Sequence, residues 1–239
     1  MALRHDQGIV LRTYSFGEAD KIVVLLSATS GKLRVVAKGV RKTKSRFGGR
    51  LEPFTHVDLV LYEGRNLDTV TQVEVIESFP NLRFDLDRFV TASTMAEVAD
   101  AVAQEGEPSV GLFLLLHRGL RALNDGAGGS DLVTAYLLKV AEVLGLAPAL
   151  EHCAGCGDAT ADLRFNLAAG GAVCSTCAPA GAFRLRQGVT ARMAELAASD
   201  MASIPVGDTS LEGETLGVTR RFFEHHLDRR IASLAVMHE

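Results

Sequence analysis

Thr55-His56-Val57-Asp58-Leu59-Val60-Leu61-Tyr62 is followed, after a turn, by Asp68-Thr69-Val70-Thr71-Gln72-Val73-Glu74-Val75-Ile76-Glu77. Apolar and polar side chains alternate along both stretches, the period of a strand with one buried face. The same reading extends toward the N-terminus. Gly8-Ile9-Val10-Leu11-Arg12-Thr13-Tyr14 is a strand, and so is Asp20-Lys21-Ile22-Val23-Val24-Leu25-Leu26-Ser27. After the turn Thr29-Ser30-Gly31 comes a third, Lys32-Leu33-Arg34-Val35-Val36-Ala37-Lys38. Five short segments within the first 78 residues fit a closed barrel better than an open sheet, whose edges would stay exposed. Five strands predict an OB-type barrel, with an SH3-like barrel as the competing architecture.

From Pro80 the period becomes helical. Apolar residues recur at three- and four-residue steps over Phe84 to Val102, Val110 to Leu123 and Leu132 to Leu144. Ser130 or Asp131 is placed to cap the third of these, and Gly145 with Pro148 ends it. Helical spacing returns over Val189 to Ala198 and from about Thr219 to Met237. The expected fold is therefore α+β. A barrel domain spans 1–79, and a helical domain in two parts, 80–150 and 181–239, carries an insertion at 151–180.

That insertion holds all four cysteines, Cys153, Cys156, Cys174 and Cys177, as C-x2-C, seventeen residues, C-x2-C. Each C-x2-C turn aims two thiolates at one point, and two turns complete the tetrahedral sulfur shell that Zn2+ prefers. Two disulfides are the rival reading, disfavoured in a 239-residue chain whose start lacks the apolar stretch of a secretory signal. Four thiolates close the shell, so the expected single Zn2+ is structural and not catalytic. His152 adjoins the first pair, but four thiolates suffice without it.

With 47% apolar residues the chain can bury a substantial core, while its apolar runs are too short to span a bilayer, so a cytoplasmic location is expected. The net charge of −4 hides a segregation. Lys32, Arg34, Lys38, Arg41, Lys42, Lys44, Arg46 and Arg50 give +8 in nineteen residues without one acid, which leaves −12 on the other 220. Lys32, Arg34 and Lys38 share one face of the third strand. Lys42, Lys44 and Arg46 follow in a loop from Gly39 to Gly49. A glycine-rich cationic loop of this kind suits phosphates. Phe47 and Phe54 flank it, and Tyr14, Phe16 and Tyr62 sit near strand ends, where rings stack on bases, although Phe54 and Tyr62 also suit the core. A solvated loop whose charge serves solubility is the competing reading.

Gly8-Ile9-Val10-Leu11-Arg12-Thr13, Gly17-Glu18-Ala19-Asp20-Lys21-Ile22-Val23 and the run from Gly31 to Arg41 resemble the N-terminal barrel of the RecO recombination mediators. Ser45-Arg46-Phe47 through Leu51-Glu52-Pro53-Phe54 fits the same family, as do the helical middle and the paired Cys-x2-Cys. The resemblance covers nearly the whole chain and weakens after about residue 185. It implies an OB-fold that binds single- and double-stranded DNA, anneals complementary strands and acts in RecF-type repair of DNA damage. It also implies RecR and the acidic C-terminal tail of single-strand binding protein as partners, and a nucleoid-associated place in the cytoplasm. A tail that is acidic with an apolar end calls for an apolar pocket rimmed by cations. Arg220, Arg221, Arg229 and Arg230 beside Phe222 and Phe223 are the candidates.

No nucleophile–base pair, phosphate-cradling Gly-Lys-Ser/Thr loop or open metal site is visible in the sequence, so a non-enzymatic role is expected. His225 and His226 read as one face of a helix. A barrel with a zinc ribbon also suits an RNA-binding factor or a protein-interaction adaptor. The ordered resemblance across both segments favours the DNA role.

Overall fold

The computed structural model describes residues 2–42, 45, 47–159 and 163–236. They form two compact units, 1–124 and 125–239. In the first unit β1 (Leu3–Phe16), β2 (Asp20–Ser27), β3 (Gly31–Ala37), β4 (His56–Tyr62) and β5 (Asp68–Glu77) close into a barrel in the order β1-β2-β3-β5-β4. β3 and β5 pair in parallel, while the remaining pairs are antiparallel. The barrel has the five strands of the expected OB type.

Closure depends on β1, which serves two neighbours. Its first half pairs with β4 as far as Ile9, and its second half pairs with β2 from Gly8 onward, with a register shift between Val10 and Arg12. A bulge of this kind bends a strand and raises its twist, as a small barrel requires. Val10, Val23, Leu25, Leu33, Val35, Ala37, Val57, Leu59, Leu61, Val70 and Val73 fill the interior. Ile22, Val24 and Leu26 on the other face of β2 are buried as well. That explains why β2 reads as a continuous apolar run while β4 alternates.

The long connection between β3 and β4 is anchored from inside. Phe47 and Leu51 belong to the barrel core. Phe54 N–H donates to Val10 O at 2.7 Å, and Val10 N–H donates to Thr55 O at 2.9 Å. Phe54 holds a left-handed backbone (φ 71°) and packs edge-on against Phe89. Phe47 and Phe54 are therefore core residues and not platforms for bases. Tyr62 differs from the core alternative, since it is 39% exposed.

Helices α1 (Asn81–Phe84), α2 (Leu86–Val102) and α3 (Val110–Asn124) belong to the same unit as the barrel. The single helix expected from Phe84 is broken at Asp85, whose extended backbone and carboxylate cap α2 by accepting from Arg88 N–H at 3.1 Å. At the start of β3, Lys32 N–H donates to Gln104 O at 2.9 Å. Gly31 beside it has no room for a side chain, because a Cβ there would meet Glu107 O at 2.4 Å and Gln104 O at 2.6 Å.

The second unit contains α4 (Gly129–Val143), the hairpin β6 (Leu163–Asn166) and β7 (Gly171–Cys174), then α5 (Val189–Ala198), α6 (Thr209–Leu227) and α7 (Ala232–Val236). α4 is buried on nearly every side, with Tyr136 wholly enclosed, and packs against α5 and α6. Neither Ser130 nor Asp131 caps it. The N-cap is Gly128, while Ser130 donates to Glu212 and Asp131 pairs with the buried Arg192 at 2.5 Å. α6 begins ten residues before the expected Thr219, at a cap formed by Asp208 accepting from Ser210 N–H. Gly213 and Gly217 had interrupted its apolar period. The C-terminal segment is two helices, because Asp228 takes a left-handed backbone (φ 48°) that stops α6. Among the described residues no helix is long and apolar enough to cross a membrane.

Candidate functional site

On an OB barrel the turns between strands one and two and between strands four and five frame the oligonucleotide face. Here those turns are Gly17-Glu18-Ala19 and the segment Glu63 to Leu67. Between them and the end of β3 lies a cleft of about 550 Å³, lined by Phe16, Val36, Lys38, Tyr62, Arg65 and Thr69 among others. Phe16 is 49% exposed. The cleft thus offers two accessible rings, Phe16 and Tyr62, with two exposed cations, Lys38 and Arg65. Its acid, Asp20, is occupied: Oδ1 accepts from Gly39 N–H at 2.7 Å and fixes the start of the basic loop. Arg41 joins the same rim, with its N–H on Ala19 O at 3.0 Å and its Nη1 on Gly17 O at 3.4 Å.

The six described members of the eight expected cations do not line one surface. Lys38, Arg41 and Lys42 are exposed at the cleft end of the barrel, and Arg50 is exposed in the loop that follows. Lys44 and Arg46 lie outside the described residues. Lys32 and Arg34 lie in β3 while Lys38 falls in the turn after it, and the first two line another hollow that also carries Asp68 and Glu105. Lys32 Nζ lies 2.6 Å from Asp100 O and 3.3 Å from its carboxylate. Arg34 donates to Tyr14 Oη at 3.1 Å and lies 3.8 Å from Glu105. Tyr14 also sits under the Arg12 guanidinium at 5.5 Å, so its ring is already engaged. Arg65 was missed, because one arginine in a polar turn carries no pattern. Its signal is positional, and only the barrel's topology supplies it.

The four cysteines come together in the second unit. Their sulfur atoms all lie within 4.8 Å of one another, and Cys156 and Cys174 Sγ are 3.9 Å apart. Four thiolates at about 2.3 Å from a tetrahedral Zn2+ stand about 3.8 Å from one another. Backbone N–H groups of Gly155 and Cys174 donate to Cys153 Sγ at 3.4 and 3.3 Å. The N–H groups of Cys174 and Cys156 draw the Cys153 thiol down to about 6, toward the thiolate form a metal needs. Crowding against the sulfurs of Cys174, Cys156 and Cys153 pushes Cys177 up, a repulsion that a cation relieves. Gly155 is part of the cradle: a Cβ there would lie 3.0 Å from Cys177 Cβ and 3.2 Å from its sulfur. The donor set, spacing and cradle all fit Zn2+.

The expected partner site is differently built. Phe222 and Phe223 are 2% and 3% exposed, within the core of the second unit, where Phe222 packs on Phe165 and His226. Arg220 is tied to Leu234 O and Glu224. Arg221, Arg229 and Arg230 are exposed. The apolar neighbour of Arg221 is Phe183, partly exposed, with the guanidinium 4.9 Å from its ring centre. A hollow of about 430 Å³ between α4 and α5 carries Glu142 and Glu151, so it suits an acidic ligand poorly.

The family model for the N-terminal part of recombination protein O matches residues 1–79, and that for the C-terminal part matches residues 83–235. The chain belongs to the RecO family. Proteins named DNA repair protein RecO are similar over nearly the full length of both sequences. The one from a Nocardioides species is 46% identical over 98% of each chain, that from Thermobifida fusca 43% over 99%, and that from Frankia casuarinae 40% over 98%. For a RecO-family chain the barrel cleft and the four-cysteine cluster are thus the two features that call for a functional account.

Proposed function

We propose that this chain is a DNA repair and homologous recombination mediator that binds single- and double-stranded DNA on its barrel and anneals complementary strands. The observation that carries the reading is the cleft holding Phe16 and Tyr62 beside Lys38 and Arg65 at the two turns where OB barrels take oligonucleotides. Rings accept any base by stacking, while cations at the rim offset phosphate charge without reading sequence. Two complementary strands repel through their phosphates. A cationic rim lowers that repulsion and leaves base edges free to pair.

RecR and the tail of single-strand binding protein are the proposed protein partners. Arg221 over Phe183, with Arg229 and Arg230, is the proposed tail contact. Zn2+ held by Cys153, Cys156, Cys174 and Cys177 would cross-link the β6–β7 hairpin to the turn at 153–157, and its closed shell leaves no place for substrate. The role is that of a non-enzymatic mediator acting on the nucleoid in the cytoplasm. In the deciding experiment, the protein is mixed with complementary oligonucleotides coated in single-strand binding protein. Duplex should form faster than without it, and an unchanged annealing rate would sink the reading.

A further inference from the structure

His56 opens β4 and is buried, 9% exposed, yet neither of its ring nitrogens has a hydrogen-bond partner among the described residues. Buried polar atoms are nearly always satisfied, so an imidazole with two orphan nitrogens calls for an explanation. Its surroundings supply one. His56 pairs in register with Glu77 at the end of β5, beside a register shift between His56 and Val57. His117 of α3 places Nε2 2.7 Å from Glu77 Oε2. The rings of His56 and His117 are 5.5 Å apart at 74°. One ligand atom from each of the three residues lies within 4.8 Å of the other two.

We infer that His56, Glu77 and His117 form a second metal site, for a borderline divalent ion of the Zn2+ class. Two imidazoles and one carboxylate are the donor set such ions favour, and hard ions such as Mg2+ and Ca2+ seek oxygen instead. Ligands at about 2.0–2.2 Å from the ion stand roughly 3.4 Å apart, and the three donors, spaced from 2.7 Å to no more than 4.8 Å, reach that spacing by side-chain shifts of about an ångström. The register shift at His56 loosens the strand ladder where that ring must turn. Arg121 orients the carboxylate, with Nε and Nη2 at 3.1 and 2.8 Å from Glu77 Oε1 and Nη2 at 2.9 Å from Oε2. Phe113 and Phe79 pack edge-on or stacked against the two imidazoles and limit water. Three ligands, one shared with a guanidinium, hold a metal less tightly than four thiolates, so the two sites empty in order.

The test is metal stoichiometry on the full-length protein, dialysed against excess Zn2+ and then against graded chelator. Wild type should bind two ions per chain, losing one well before the other. His117→Gln and His56→Ala should each bind one, with the tightly held ion retained. His117 is only partly buried, so His117→Gln is the variant that keeps the fold. Loaded with Co2+, the weak site should absorb without the thiolate-to-cobalt charge-transfer band of the cysteine site. A His225→Gln, His226→Gln double variant controls for adventitious binding on α6 and should still bind two. One ion in wild type, two in His117→Gln, or loss of the second in the α6 variant would each overturn the inference.

Discussion

The Lys32 ammonium lies 3.3 Å from the Asp100 carboxylate and donates to its backbone carbonyl at 2.6 Å. Arg12 takes the other carboxylate oxygen at 2.8 Å. Asp100 therefore ties α2 to β1 and β3, and one of the eight clustered cations is a structural tether. Lys32→Ala should destabilise the first unit by about 1–3 kcal/mol, the cost of leaving a buried polar partner unmet. It should leave the salt dependence of DNA binding unchanged. Lys38→Glu with Arg65→Glu should do the reverse, lowering the slope of log K against log salt by about 0.7 for each single-strand phosphate that is no longer neutralised. Equal slopes for the two variants, measured by fluorescence titration, would remove the cleft as the site.

Phe16→Ala and Tyr62→Ala test the stacking role apart from charge. Each should weaken single-strand binding by about 1–3 kcal/mol at fixed salt, with the salt slope kept. Both rings are substantially exposed, so thermal melts of the variants should match wild type. Loss of stability together with affinity would mark the rings as packing residues.

Zinc retention depends on a glycine as much as on four cysteines. Gly155→Ala should weaken Zn2+ binding in chelator competition, because its methyl would press on Cys177. Cys153→Ala should loosen roughly residues 150–180 to hydrogen exchange, since a structural metal contributes folding free energy directly. The first unit has its own core and should keep its protection. Purified protein lacking stoichiometric zinc would contradict this.

Asp6 makes the barrel sensitive to acid. Burial raises its pKa, but hydrogen bonds from Ser27, Ser30 and Thr29 and from Gln7 N–H outweigh that and hold it below the usual carboxylate range. The Ser27 and Ser30 hydroxyls both lie 2.5 Å from it. A carboxylate with a depressed folded pKa stabilises the protein above its unfolded pKa, and that stability is lost as pH falls through the folded value. Urea midpoints of wild type should fall between about pH 5 and pH 3, and those of Asp6→Asn should fall less. Parallel pH dependence in the two proteins would assign the acid sensitivity elsewhere.

A fluorescent acidic peptide with an apolar C-terminal residue should bind the full chain more weakly as salt rises. Binding should drop after Arg221→Glu and after Phe183→Ala, since charge sets the encounter rate and the apolar end the residence time. Phe222→Ala should instead cost stability, about 3–5 kcal/mol for a buried ring. Peptide binding unaffected by Arg221→Glu places the contact on another surface.

The sequence alone determined whatever repeats over short distances. Short β-rich runs between turns, alternating clearly in β4 and β5, marked the five strands, three- and four-residue spacing marked most helices, and the paired Cys-x2-Cys marked a cluster whose geometry is written into two tight turns. It missed the start of α6, where glycines interrupt the period and a capping Asp208 is the one local sign. The partner of each charge was decided only in three dimensions. Lys32 and Asp100 are 68 residues apart, and no pattern in the chain announces that they meet. The same holds for Phe47 and Phe222, aromatic residues beside arginines whose burial depends on what packs over them. It holds too for His56, Glu77 and His117, which a strand register and a helix crossing bring within one site. Local periodicity follows from backbone geometry, which every few residues restate. Side-chain partnership follows from closure of the barrel and packing of helices, which depend on the whole chain at once.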